Sequence, residues 1–200
     1  MLLDSPVTLF LMAINVLVGF HSLFVDPSTV GRLAFRPALV QRGEWWRFFT
    51  AGFAHVGLAH LLFNMVTLFF FGPVIERILG PLGYLVVYVG SDLAANALTY
   101  WRHRNNPSYS AVGASGAVSG VLFSFCLFFP LEKIYIFFAI PMWAIVFAVV
   151  YIVGSVYAAG QGGGRVAHEA HIGGAIGGLA LTLLLFPEAI QIFLTQIGLG

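Results

Sequence analysis

Ser115, His60, His171 and Asn64 put a hydroxyl, two imidazoles and an amide among long apolar runs that have little other reason to carry them. A serine beside a histidine can do nucleophilic chemistry: the imidazole takes the hydroxyl proton as Oγ attacks a carbonyl carbon. Acyl transfer of this kind also needs hydrogen-bond donors aimed at the oxyanion that develops on the attacked carbonyl. His60 and Asn64 stand at i, i+4, share one face of a helix, and supply two such donors. Polar side chains inside a membrane are costly and need a partner or a task.

Composition names the solvent these residues sit in. Of 200 residues, 60% are hydrophobic and 8% charged, against about 25% charged in soluble domains. The chain reads as all-α, a polytopic membrane protein forming a single domain over residues 1–200. Crossing the hydrocarbon core takes about 20 mostly apolar residues. Six stretches meet that length, at about 7–24, 58–78, 82–101, 113–130, 133–153 and 169–187. No basic segment precedes the first, so it is expected as a retained span. Residues 25–57 form a long loop, 102–112 a polar loop, and 154–168 a Gly-rich, flexible connection. The joints at Gly80-Pro81 and Pro130 are short.

This layout gives the polar residues a common depth. His60 and Asn64 open the second stretch, Ser115 and Ser119 the fourth, and His171 the sixth. Even-numbered spans run in the same direction, so all three sets lie just below the face that carries the long loops. Glycines then bring two of the helices together. His171, Gly174 and Gly178 form one stripe at i, i+3, i+7, and Gly116 and Gly120 are spaced to receive it. Small residues let helix backbones approach closely in lipid. The expected result is a Ser115–His171 dyad. Glu169, two residues from His171, points elsewhere and adds no carboxylate. The backbone N–H of Ser115, at a helix N-terminus, joins His60 and Asn64 as a donor.

At these residues the chain resembles the rhomboid family of intramembrane proteases. Gly113-Ala114-Ser115-Gly116 matches the GxSG nucleophile motif, and Ala170-His171-Ile172-Gly173-Gly174 the AHxxG base motif. His60 to Asn64 matches HxxxN, Trp46-Arg47 matches the loop WR pair, and Glu76-Arg77 also fits. The resemblance implies a six-helix rhomboid-like bundle and a serine endopeptidase that uses no cofactor and no metal. Ser115 would be the nucleophile, His171 the base, and His60 and Asn64 the oxyanion donors. The partners would be transmembrane segments of protein substrates within the bilayer. Bacterial members often carry an aromatic residue four positions after the nucleophile, where this chain has Ser119. His168, one turn before His171, stands where others often have asparagine and is a candidate neighbour for the base.

Other readings fit less well. A net charge of +1 offers no basic stripe for nucleic acid. His168-Glu169-Ala170-His171 is similar to a metalloprotease HExxH but one residue short. Asp92 is the lone aspartate inside a stretch, and an aspartyl protease needs two. The single cysteine, Cys126, reads as a small buried hydrophobe. A catalytically silent relative that binds transmembrane helices as a chaperone or adaptor is the alternative, and the intact Ser115 and His171 weigh against it. Orientation pulls two ways. Arg77 and Lys133 lie on the N-terminal side, and the other seven of nine basic residues on the opposite side. The positive-inside rule would place the long loops in the cytoplasm. The family implies a plasma-membrane protein with a cytoplasmic N-terminus and an outward-facing site. The expectation follows the family, because Glu44 can neutralise Arg42 and Arg47 locally.

Overall fold

The computed structural model describes residues 2–136, 139–161 and 167–200. Helix α1 (Pro6–Phe20) continues through a wider π-type turn, His21–Val25, into three short loop helices, α2 (Ser28–Leu33), α3 (Pro37–Val40) and α4 (Arg47–Thr50). Then follow α5 (Leu58–His103), α6 (Ser115–Phe128), a hairpin of β1 (Lys133–Ile136) and β2 (Ile140–Trp143), α7 (Ala144–Gln161), α8 (His168–Leu185) and α9 (Ala189–Gln196).

Helix α5 has 46 residues but does not run straight. At Gly80 the backbone adopts φ +71°, a conformation open to glycine, and Pro81 then offers no N–H to the helical ladder. Gly72 and Tyr84 would be about 18 Å apart along an unbroken helix. Here a methyl on Gly72 would sit 2.7 Å from the Tyr84 hydroxyl, so the chain folds back at Gly80 into two arms. Helices Pro6–Val25 and Leu58–His103 are long and apolar enough to cross a membrane. α8 with α9, bent by 108° at the break between them, makes a further candidate, while α6 and the 144–159 stretch are apolar but shorter.

Helix α6 is the axis of the molecule. Of its 14 residues, 12 are buried, against both arms of α5, α8 and, along one edge, α7. Its contact with α8 is backbone to backbone: a side chain on Gly174 would overlap the Gly116 carbonyl, and one on Gly178 would overlap Gly120. Ser124 and Thr182 share a hydrogen bond of 2.7 Å across the same seam. Helix α1 docks through Glu76 of α5, whose buried carboxylate accepts from the N–H groups of Val7 (2.9 Å) and Thr8 (2.8 Å) and from the Thr8 hydroxyl (2.7 Å). These amides lie in the first turn of α1, where a helix has no internal acceptors and favours negative charge.

One expectation needs correction. A helix was expected from about 133, but Lys133–Ile136 and Ile140–Trp143 pair as the two strands of the hairpin, and α7 begins at Ala144. Pro141 cannot join a helical ladder, and Ile134, Tyr135 and Ile136 suit an extended chain. Helix α7 in turn runs through Gly154 to Gln161, into the segment expected as a Gly-rich connection. Residues 162–166 of that connection lie outside the described residues.

Candidate active site

The first loop builds a rigid floor for the site. Arg47 is buried, donates from Nε to Glu44 (2.7 Å), and donates from one terminal nitrogen to the carbonyls of Arg32 (2.8 Å) and Ala34 (2.6 Å). One guanidinium thus fastens α4 to the end of α2. Asn96 on the second arm of α5 donates to the Phe48 carbonyl at 2.9 Å. Phe35 and Ala111 exchange both backbone hydrogen bonds, and the Gly113 N–H donates to the Ala51 carbonyl at 2.9 Å. The segment leading into Ser115 is therefore pinned on two sides. Gly113 has φ +122°, and any side chain there would strike the His60 ring.

Ser115 is the first residue of α6 and His171 the fourth of α8. The Gly116–Gly174 contact brings the two side chains together, with Ser115 Oγ 2.9 Å from His171 Nε2. This lies within the reach of about 2.6–3.2 Å required for proton abstraction. His60 packs beside Gly113, two residues before Ser115. Asn64 donates to the His60 carbonyl at 3.0 Å and to His55 Nε2 at 3.4 Å. Both of its amide hydrogens are thus engaged, and only the longer bond is weak enough to exchange readily. The ring of His168 meets that of His171 edge-on at 5.9 Å. Glu169 turns away and accepts from the Tyr109 hydroxyl (2.6 Å) and His103 (2.7 Å).

Two residues that sequence reasoning passed over belong to this assembly. His55, in the first loop, is fully buried, with its ring 5.1 Å from that of His60. Burial holds its pKa down at about 4, the proximity of His60 adding to the effect and the Phe53 carbonyl opposing it. As neutral imidazole it accepts from Asn64 on Nε2 and donates from Nδ1 to Phe53. A histidine between Ala54 and Val56, five residues before His60, was the available signal. The second is Tyr151 of α7, whose ring stacks on His171 at 5.7 Å and 28° and whose hydroxyl lies 2.6 Å from Ser119 Oγ. Its signal was a phenol in a run of Val and Ile, where the hydroxyl needs a partner.

Ser115 and His171 both line a groove of about 1620 Å³. The first arm of α5 forms one wall with Phe63, Val66 and Phe70, and α7 and β1 form the other with Phe147, Tyr151 and Ile134. Val118, Ser119 and Leu122 of α6 line its floor. On the other side of Ser115, Asp92, Asn96 and Gly116 bound a chamber of about 20 Å³, room for one water molecule.

Comparison with known proteins identifies the family. A family model described as the Rhomboid domain matches residues 42–188. The chain is similar to YdcA of Bacillus subtilis, 37% identical over 134 residues, covering 64% of each chain. It is similar also to the rhomboid protease GluP of the same organism, 30% identical over 153 residues, covering 76% of this chain and 28% of GluP. A third relative, the inactive RHOMBOID-like protein 8 of Arabidopsis thaliana, is 34% identical over 87 residues, covering 44% of this chain and 25% of that protein. The chain thus spans less than two thirds of the length of these relatives. Motif, helix arrangement and family model coincide over most of the sequence: the chain belongs to the rhomboid family.

Proposed function

We propose that this protein is an intramembrane serine endopeptidase that cuts transmembrane segments of other membrane proteins in or near the bilayer. The observation that carries this reading is the 2.9 Å Ser115–His171 contact in the lining of a largely apolar groove. His171 accepts the Ser115 proton as Oγ attacks the scissile carbonyl carbon. The oxyanion is met by the Ser115 N–H, which as the first amide of α6 has no helical acceptor, and by His60 and Asn64. His171 then gives its proton to the departing amine, leaving an ester on Ser115. A water molecule, activated by His171, hydrolyses that ester, and Ser115 recovers its hydrogen. No cofactor or metal enters these steps.

Depth supports the membrane substrate. We count six crossings: α1, the two arms of α5, α6, α7 and α8. Helix α6, with 14 residues, is only about 21 Å long against a hydrocarbon core of about 30 Å. We place Ser115, the first residue of α6, below the membrane surface, level with the groove. The apolar walls of the groove suit a helix arriving from lipid, and the polar side chains beside the dyad suit one that has begun to unwind. The decisive experiment incubates purified protein in liposomes with a model transmembrane substrate, beside Ser115→Ala. Equal cleavage by the two would refute the mechanism. Binding without cleavage by the native chain would instead favour the silent chaperone or adaptor reading, which the inactive relative keeps relevant.

We place the protein in the plasma membrane with the site facing outward and the N-terminus in the cytoplasm. The burial of Arg47 against Glu44 supports discounting part of the positive charge on the long loops. In a Cys126→Ala background, Ser108→Cys should react with an impermeant maleimide on intact cells and Leu3→Cys should not. The reverse pattern would invert the topology.

A further inference from the structure

Tyr151 of α7 meets His171 with its ring and, with its hydroxyl, meets Ser119, the residue bonded to the Ser115 carbonyl. Its ring lies over the His171 imidazole, 5.7 Å away and 28° from parallel. Phe123 and Phe147, each 5.6 Å from Tyr151, hold the ring from other sides. The hydroxyl side of the contact has a defined direction. Ser119 has one hydrogen and donates it to the Ser115 carbonyl at 2.7 Å. The 2.6 Å bond between Ser119 and Tyr151 must therefore be donated by Tyr151. A chain of two hydrogen bonds thus runs from α7 through Ser119 to the peptide carbonyl of Ser115. One side chain thus faces the imidazole with its ring and reaches the Ser115 carbonyl only through Ser119.

Helix α7 is seated differently from the helices that carry Ser115 and His171. Between residues 144 and 159 it buries only Ala144 and Ser155 fully, while Val149, Val150, Val153 and Tyr157 are exposed. Nothing lies within 4 Å of a side chain added at Gly154. By contrast, α6 and α8 interlock through glycines. The helix that forms one wall of the groove is therefore packed less tightly than α6 and α8. Any displacement of α7 that widens the groove withdraws the Tyr151 ring from His171 and breaks the bond to Ser119.

We infer that Tyr151 is a positioning residue for His171, aimed through Ser119, and that it makes the geometry of the dyad depend on α7 being seated. Removing a stacking ring and its hydroxyl frees the imidazole to rotate about its side-chain bonds while leaving the helices in place. This inference rests on the serine endopeptidase reading for its kinetic consequences and on the geometry alone for its structural ones.

The test uses the full-length protein in detergent or liposomes with four variants. Tyr151→Leu should lower kcat by about 10- to 50-fold with KM changed less than about twofold, the stack and the hydroxyl bond being lost together. Tyr151→Phe and Ser119→Ala should each cost about fivefold, and the double variant no more than either single one, because both break the same relay. Multiplicative losses in the double variant would overturn the relay. A readout without turnover accompanies these: 15N spectra of the imidazoles, with His171 assigned through His171→Gln. The His171 signals should shift or broaden in Tyr151→Leu and change little in Tyr151→Phe. Native His171 signals together with native kcat in Tyr151→Leu would overturn the inference. If the native chain neither cleaves a substrate nor reacts with a fluorophosphonate, the protease reading fails instead, and the spectra still decide whether Tyr151 orders the ring.

Discussion

Replacing Gly174 with alanine should separate the two halves of the dyad without touching either. A methyl carbon at Gly174 would lie 2.7 Å from the Gly116 carbonyl carbon and 3.0 Å from its Cα. Carbon atoms rest comfortably at about 3.5–4.0 Å, so α8 must retreat from α6 by ~1 Å. The obstacle is backbone, and no flexible side chain can yield in its place. His171 lies three residues earlier on the same stripe, so the retreat carries its ring along. A Ser115–His171 separation of 2.9 Å would open toward ~3.9 Å, beyond a useful hydrogen bond. Misplacing reacting groups by about 1 Å costs about 10²-fold in rate. The overpacked seam should also lose ~1–3 kcal/mol of stability. The assay measures cleavage of a transmembrane substrate and the rate of fluorophosphonate labelling, with Tm in the same detergent. Gly154→Ala, where a side chain meets nothing within 4 Å, is the control and should behave as the native chain. Native cleavage and labelling by Gly174→Ala would refute the claim that this glycine contact sets the dyad distance.

The oxyanion assignment predicts that His60→Ala lowers kcat by about 10²–10³; Asn64→Ala should cost less, since both of its amide hydrogens already have partners. Unfolding of either variant with native turnover in the folded fraction would mark these residues as structural. His55 predicts an acid weakness. Burial holds its pKa at about 4 against 6.5 for the free side chain, so between these values the unfolded chain binds a proton that the folded one does not. Its contribution is present above pH 6.5, is lost as pH falls toward 4, and amounts to at most ~3 kcal/mol. Tm measured from about pH 7 down to about pH 4.5 should fall less steeply for His55→Gln than for the native chain. Parallel curves would refute this account.

Much of the site could be read from local spacing, because helices convert sequence intervals into faces. Ser115, His171, His60 and the glycine stripes of α6 and α8 were all visible as intervals of three, four or seven residues. Tyr151 and His55 were not, for a different reason. Tyr151 reaches the site across a contact between segments far apart in sequence, which no interval records, and His55 meets His60 and Asn64 from the loop before α5, where helical intervals do not apply. Ser119 shows the limit best. Its position after Ser115 marked it as unusual, but its partner lies 32 residues away on another helix. The pairing of β1 with β2 was missed because an apolar run of that length satisfies a span, a buried helix or a strand equally well. Pro141 was the discriminating residue.

The carboxylate of Glu76 has a consequence for how the chain is made. The acceptors that satisfy the first turn of α1 arrive 68 and 69 residues later in the sequence. During synthesis α1 must enter the bilayer before its acceptor exists, with those amides turned to water or headgroups. Only when the first arm of α5 has inserted beside it can the two lock together. The N-terminal helix is thus held provisionally until the second one is threaded, and Glu76 acts as a latch that closes in the order of translation.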